Sequence, residues 1–192
     1  MQPKGNTLAG LEIELSTPIE GVVVIHPVSF GDDRGRFTET YRRSWFPHGR
    51  EMVQGSRSDK IAGSLVGLHY HLHQADYWYV VSGRAHVVLH DLRLGSPSDG
   101  ATLELELGDK TGLGLFIPPG VAHGFYAVTD MMLTYLVDGY YNPADELGVA
   151  YNDPAVAANW PAAAPVISER DQANPSRDSI PDHLRPRVGL RT

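Results

Sequence analysis

Two short segments of the chain contain side chains that could do chemistry. In the first, residues 67–73, three histidines occupy alternate positions, and Asp76 follows shortly after. In the second, residues 117–125, His123 comes just after the turn signal Pro-Pro-Gly. Imidazoles transfer protons near neutral pH, and imidazoles together with a carboxylate also bind divalent transition metals. We therefore expect the chemistry of the protein to take place between these two segments.

The three histidines of the first segment share a surface only if one strand runs through all of them. Residues two apart on a β-strand point to the same face, so a strand that reaches His73 would align it with His69 and His71. If the strand ends at Tyr70, only His69 is firmly placed. Residues 77–81 have the aromatic and β-branched composition of the next strand.

The rest of the chain predicts an all-β fold. Short alternating or apolar runs separated by Gly, Pro and Asp turns are typical of a sandwich or barrel. The predicted strands are residues 20–26, 36–41, 84–92, 102–107, 112–117 and 131–137. In the most regular run, residues 102–107, leucines are expected to face inward and glutamates outward. Residues 29–35 are predicted to form a turn, and residues 54–60 a polar connection.

The length of 192 residues predicts a single domain. Its core is expected over about residues 18–141, after a polar arm that contributes an edge strand. Residues 142–175, rich in Pro and Ala in their second half, are expected to wrap around the domain with a short helix near 154–158. Residues 176–192 are expected to form a mobile tail.

The composition excludes several classes of partner and site. A formal net charge of −7 argues against nucleic-acid binding, which needs clustered Lys and Arg. The absence of cysteine excludes disulfides and thiolate metal sites. Neither a signal-peptide core nor a run of roughly 18 apolar residues is present, so we expect a cytoplasmic protein without a membrane partner.

The two segments together resemble the paired motifs of the cupin superfamily, whose members are small double-sheet barrels. The pattern is His69-x-His71, Asp76 and Gly83, then Gly112 to Pro118-x-Gly120-x-x-His123. The superfamily usually has Glu where this chain has Asp76. The resemblance implies an all-β double-stranded β-helix, or jelly-roll barrel, followed by short C-terminal helical and extended segments.

Further motifs are similar to one cupin branch, the dTDP-4-dehydrorhamnose 3,5-epimerases, in order and at matching spacing over roughly residues 20–175. They include Asp33-Arg34-Gly35-Arg36-Phe37-Thr38-Glu39, Gln54, Gly67-Leu68-His69-Tyr70, Ile117-Pro118-Pro119-Gly120, His123-Gly124-Phe125, Tyr135 and Ile167-Ser168-Glu169-Arg170-Asp171. The resemblance implies a metal-free, homodimeric enzyme of deoxysugar biosynthesis. Such an enzyme epimerises a dTDP-4-keto-6-deoxyhexose at C3, C5 or both.

The resemblance also implies roles for individual residues. Epimerisation beside a keto group needs a base, an acid on the other face of the substrate, and a group that holds the enolate oxygen. The family match makes His69 the base, Asp171 the partner of its other ring nitrogen, and Tyr135 the acid. The substrate-binding positions match Phe30, Arg34, Phe37, Glu39, Gln54, Ser56, Asp76, His123 and Tyr141, with the nucleotide held partly across the dimer.

Four residues depart from the family's pattern. Val66 and Asp76 stand where the family has Arg and Lys. Ser56 and His71 stand where it has Asn and Gln. A donor aimed at a developing enolate oxygen is worth about 3–4 kcal/mol. A carboxylate in place of the lysine should therefore slow the family's reaction unless something compensates.

The same departures create a metal-binding ligand set: His69, His71, Asp76 and His123. Imidazoles with one carboxylate suit Fe(II), Mn, Ni or Zn, and a bound metal could polarise the keto oxygen. Three hypotheses follow. The protein is an epimerase of the family without a cofactor, a metal-dependent cupin enzyme on another small substrate, or a non-catalytic sugar-nucleotide binding protein.

Overall fold

Alternating runs of the sequence fold into two antiparallel sheets around an apolar core. The computed structural model describes residues 11–15, 17–46 and 50–188. Its strands are β1 (Glu12–Glu14), β2 (Val23–His26), β3 (Ser29–Asp32), β4 (Gly35–Thr38), β5 (Gln54–Lys60), β6 (Leu65–Tyr70), β7 (Asp76–Ser82), β8 (Arg84–Asp91), β9 (Thr102–Gly108), β10 (Gly114–Ile117), β11 (Val121–Ala127), β12 (Met131–Val137) and β13 (Leu147–Gly148). A short helix, α1 (Glu169–Gln172), follows.

The two sheets have the layout of a jelly-roll barrel. One sheet has the strand order β1-β2-β10-β7-β12-β5, and the other has the order β13-β6-β11-β8-β9. Strands β3 and β4 pair with each other as a separate hairpin. The all-β prediction is confirmed. Among the described residues, no helix is both long enough and apolar enough to cross a membrane.

The main core lies between the sheets and takes side chains from both. Trp78, Leu115 and Leu133 come from the first sheet, and Leu89 and Phe125 from the second. Fully burying a side chain of this size contributes about 1.5–3 kcal/mol. The core therefore fixes the spacing of the two sheets, and with it the distance between any groups that face each other across them.

Strands β3 and β5 were not predicted from the sequence, whereas β4 overlaps the predicted strand 36–41. Along residues 54–60 exposed and half-buried positions alternate, and the half-buried ones are Gln54, Ser56, Ser58 and Lys60. The inward face of β5 is polar because part of it lines a cavity rather than the core, so it lacks the apolar alternation of an ordinary strand. In residues 29–35, where a turn was predicted, β3 takes up Ser29–Asp32 and pairs with β4 as a hairpin.

Residues 154–158 form turns instead of the predicted helix. The backbone N–H groups of Val156 and Ala157 both bond to the carbonyl of Asp153, at 3.0 and 3.2 Å. The φ of Ala157 is then +54°, which takes the chain out of helical geometry. The helix of this region is instead α1, which begins after the capping residue Ser168.

The C-terminal segment lies along β6 and then against the far side of the barrel. Val166 forms a parallel bridge with Ser64, and the Val149 N–H donates to the Leu68 carbonyl at 3.0 Å. Further on, Ile180 is buried and Arg185 donates to the Leu92 carbonyl at 2.8 Å. The structure thus places residues 176–188, the described part of the expected tail, in contact with the barrel. Residues 189–192 are outside the described residues.

Candidate active site

A histidine–carboxylate pair forms where β6 meets α1. Strand β6 ends at Tyr70, so of the three histidines only His69 lies on the strand. Its Nε2 is 2.7 Å from Oδ1 of Asp171, and Oδ2 of Asp171 accepts the Gly67 N–H at 3.1 Å. Ser168 caps α1 by accepting the Asp171 N–H at 3.1 Å, which fixes the carboxylate's position. An ionised carboxylate can accept hydrogen bonds but cannot donate them. In the neutral imidazole of His69, Nε2 therefore carries the proton and Nδ1 keeps an unshared electron pair.

The environment of Asp171 keeps it ionised. Burial raises the pKa of its carboxyl, but the hydrogen bonds from His69 and from the Gly67 N–H outweigh burial and lower the pKa below its ordinary value. A carboxylate held in this way stabilises the imidazolium that forms when His69 takes up a proton. The pair therefore has the charge and the tautomer of a general base.

His69 lines a cavity between the two sheets. Strands β6 and β11 form one wall, strands β5, β7 and β12 form the other, and residues 141–146 lie at its edge. The cavity has about 860 Å³ of empty space, counting its open mouth.

Tyr135 lines the wall opposite His69. It lies on β12 between Ser56 of β5 and Trp78 of β7, with which it is in register. The imidazole and the phenol therefore come from different sheets. A ligand between them can meet a base on one face and a proton donor on the other.

His71, Asp76 and His123 form a second cluster in the same cavity. Nδ1 of His71 donates to the Asp145 carbonyl at 2.6 Å, and Nδ1 of His123 donates to the Val121 carbonyl at 2.9 Å. The Nε2 atoms of His71 and His123 each lie 3.8 Å from an oxygen of Asp76. One potential ligand atom from each of the three residues lies within 4.8 Å of the others.

The predicted four-residue metal set is only partly brought together. His69 is not in the cluster, and its Nε2 is bonded to Asp171 instead. His73, the third histidine of the first segment, is exposed. Burial, chiefly, lowers the pKa of His123 to about 4, with the neighbouring His71 acting in the same direction and Asp76 against it. His123 is therefore neutral near pH 7, with its Nε2 electron pair available.

Comparison with known proteins identifies the family. The family model of dTDP-4-dehydrorhamnose 3,5-epimerase matches residues 16–178. The chain belongs to this family. It is 34% identical over 175 residues to the dTDP-4-dehydrorhamnose 3,5-epimerase of Sinorhizobium fredii, covering 86% of this chain and 90% of that protein. It is 37% identical over 162 residues to the dTDP-4-dehydrorhamnose 3-epimerase of Streptomyces niveus, covering 80% of this chain and 78% of that one.

A solved structure of the same epimerase family supports the fold. The enzyme from Legionella pneumophila, determined with dTDP-4-keto-L-rhamnose, superimposes with a TM-score of 0.86 at 32% identity. The match covers 92% of this chain and 98% of that one. The predictions of family and of jelly-roll fold are confirmed.

Two of the positions at which the sequence resemblance implies a departure from the family's pattern lie in the cavity wall. Val66 lines the cavity where the family resemblance implies Arg, and Asp76 lines it where the resemblance implies Lys. Among the described lining side chains the one Lys or Arg is Lys60, which the sequence interpretation missed. No pattern in residues 54–60 singles it out, because apart from Gly55 the run is polar on both faces of the strand.

Glu146 is a second lining residue that the sequence interpretation missed. Its carboxylate accepts a hydrogen bond from Arg170 at 2.9 Å. A second hydrogen bond, with the Tyr141 hydroxyl, raises the pKa of that phenol. Tyr141 lies at the cavity edge, and its N–H donates to Gln54 at 3.1 Å. Ser56 lies on the inward face of β5, between Gln54 and Ser58.

Four predicted binding residues lie away from this cavity. Phe30 and Phe37 face solvent on the β3–β4 hairpin, with 51% and 67% of their surface exposed. Arg34, at the turn of that hairpin, pairs with Asp32, and Glu39, just beyond it, pairs with Arg42 at 2.6 Å. Within one chain these residues do not join the His69 site.

Proposed function

We propose that the protein epimerises a dTDP-4-keto-6-deoxyhexose at a carbon next to its keto group. The observation that carries the proposal is the His69–Asp171 pair on one wall of the cavity, opposite Tyr135 on the other. Membership of the epimerase family supplies the substrate class. The substrate itself is assigned by analogy with relatives.

The reaction needs two proton transfers. Nδ1 of His69 removes the proton from the carbon beside the keto group, and the electron pair of that C–H bond moves to form an enolate. Asp171 holds the resulting imidazolium. Tyr135 then gives its phenolic proton to the other face of the same carbon, and the enolate returns to the ketone with inverted configuration.

The relatives favour C3 as a reacting carbon. The related proteins named above are a 3,5-epimerase and a 3-epimerase, and both names include C3. We therefore expect proton exchange at C3, with or without exchange at C5.

Proton NMR of dTDP-4-keto-6-deoxyglucose in D₂O tests the proposal directly. We expect a protein-dependent loss of the C3 proton signal, and we expect His69→Asn to abolish it. Persistence of both the C3 and the C5 signals would overturn the proposal. If dTDP nevertheless raised the melting temperature, the non-catalytic binding hypothesis would take its place.

We also propose that the protein works as a homodimer in which the hairpin of one chain completes the site of the other. The exposed rings of Phe30 and Phe37 support this, because solvent-facing aromatic side chains on a short hairpin are typical of contact surfaces. Light scattering after size exclusion should give twice the monomer mass. A monomeric mass for the wild type would contradict the proposal, and Phe37→Asp should shift a dimer toward monomer.

A cytoplasmic location is part of the same proposal. It is supported by the expected nucleotide-sugar substrate and by the lack of cysteine. Cell fractionation tests it, and recovery of the protein outside the cytoplasmic fraction would contradict it.

A further inference from the structure

The cluster of His71, Asp76 and His123 has an organisation that the proton-transfer residues do not require. Both imidazoles donate their Nδ1 protons to backbone carbonyls, so both Nε2 atoms carry unshared electron pairs. Both Nε2 atoms lie at 3.8 Å from the same carboxylate. A backbone carbonyl on the second ring nitrogen is the usual partner that orients a metal-binding histidine.

Among the described residues, the Asp76 carboxylate has no Lys or Arg partner. Asp76 is 4% exposed, and the described structure places no Lys or Arg within ion-pair distance of it. Its oxygens accept from the Gln74 amide at 2.9 Å and from the Trp78 indole at 3.2 Å, both neutral donors. Burying a carboxylate without a counter-charge is costly, so a cation at this position would stabilise the cluster.

The spacing of the three side chains suits a small cation. Around a four-coordinate ion with bonds of about 2.1 Å, ligand atoms lie about 3.4 Å apart. The two Nε2–carboxylate distances of 3.8 Å, each to a different oxygen of Asp76, are longer by less than half an ångström, and one ligand atom from each of the three residues lies within 4.8 Å of the others. Rotation of these side chains would bring the three ligand atoms closer to this spacing.

We propose that His71, Asp76 and His123 bind one divalent transition-metal ion through two Nε2 atoms and a carboxylate oxygen. Two imidazoles with one carboxylate suit Fe(II), Mn, Co or Zn, and three protein ligands leave coordination positions open. His69 is not assigned as a ligand, because it lies outside the group of close ligand atoms and its Nδ1 is the proposed base. The cavity then holds a base and a metal as separate groups.

The metal site lies beside the base. His123 on β11 is the register partner of His69 on β6, and both residues line the cavity. If the proposed function is correct, on which this step rests, the ion accepts a lone pair of the keto oxygen. It then holds the negative charge that develops there when His69 removes the proton. The family resemblance implies a lysine at the position of Asp76. A cation bound to Asp76 would supply the positive charge that this lysine would have carried.

Metal binding is measured first, without reference to activity. Tag-free protein purified without chelators is titrated with Co(II) followed by its visible absorption, and with Zn(II) by calorimetry. Wild type should bind one ion per chain, and His71→Gln and Asp76→Asn should each weaken binding by more than about 100-fold. His73→Gln is the matched control, because His73 is exposed and two residues from His71, and it should bind like wild type.

Two results would overturn the metal site. One is the absence of saturable binding in the wild type, and the other is unchanged binding in both ligand variants. Circular dichroism shows which variants are folded. The two variants alter different parts of the chain. If one of them does not fold, the other still tests whether these residues bind the metal ion.

The exchange assay then separates the metal site from the proposed function. Removal of the metal should lower the exchange rate in D₂O at least tenfold, and adding Co(II) or Zn(II) back should restore it. Full exchange by metal-free protein would refute the role of the ion in catalysis while leaving the epimerase proposal intact. Tight metal binding with no exchange under any condition would refute the epimerase proposal and leave the metal site standing.

Discussion

At the scale of single residues, the position of one proton decides what His69 can do. The bond from Nε2 to Asp171 leaves the electron pair on Nδ1. An amide at residue 171 could instead donate to Nε2, and the proton would then move to Nδ1 and block the base. The carboxylate therefore acts by selecting a tautomer as well as by stabilising charge.

For this reason we expect Asp171→Asn to lower the epimerisation rate constant by about 10⁴-fold, in line with the carboxylate-to-amide change beside another catalytic histidine. Single-turnover exchange in D₂O measures it. Asp178→Asn, at an exposed position just beyond α1, is the matched control and should leave the rate unchanged. A rate within tenfold of wild type in Asp171→Asn would show that His69 does not depend on the pair.

At the scale of elements, β5 brings a single positive charge to the cavity. Gln54 and Lys60 lie at its two ends and both line the cavity, whereas Arg57 between them is exposed. A sugar nucleotide carries two negative charges on its diphosphate. Lys60 therefore offers the electrostatic attraction to substrate that Val66 does not.

We expect Lys60→Met to raise KM for the sugar nucleotide about tenfold or more, because charge-assisted hydrogen bonds are worth about 1.5–3 kcal/mol. The effect on kcat should be smaller. Arg57→Met removes a cation from the outward face of the same strand and should leave KM unchanged. Equal effects of the two substitutions would mean that only the overall charge of the protein matters.

The same strand shows where prediction from sequence succeeds and where it stops. The motif around His69, and Asp171 far from it, could be matched to a family because motif residues keep their spacing in the chain. Strand β5 was missed because its inward face is polar, and apolar periodicity detects only strands that face a core. Lys60 and Glu146 were missed for a related reason: a cavity wall is defined by which strands come together, and single-strand patterns do not contain that information.

At the scale of the whole molecule, a buried hydrogen-bonded chain joins the C-terminal segment to the barrel. Arg177 donates to Nε2 of His90 at 3.0 Å, and His90 in turn donates from Nδ1 to the Thr102 hydroxyl at 2.9 Å. Thr102 donates to the Val156 carbonyl at 2.6 Å. The chain requires a neutral imidazole. Burial, and next the charge of Arg177, lower the pKa of His90 to about 4.

Stability should therefore depend on pH through His90. The pKa of His90 is lower in the folded state than in the unfolded state. Its contribution to the free energy of unfolding is therefore complete above about pH 6.5 and is lost as pH falls toward 4. We expect the free energy of unfolding to fall by up to about 3 kcal/mol over this range. Urea titrations at several pH values measure it.

Two variants isolate that contribution. His90→Gln should reduce the pH dependence, whereas His183→Gln, at an exposed position of the same C-terminal segment, should keep it. An identical pH profile in His90→Gln and wild type would show that other groups cause the acid sensitivity.

The separation of His69 and Asp171 along the chain has a consequence for biosynthesis. The two residues are 102 positions apart, and all the strands that form the cavity walls lie between or before them. A ribosome makes the histidine and the whole barrel sequence before it makes the carboxylate. A nascent chain can therefore close its barrel before Asp171 is available to His69, and the histidine–carboxylate pair is complete only when the segment that carries Asp171 has emerged and docked.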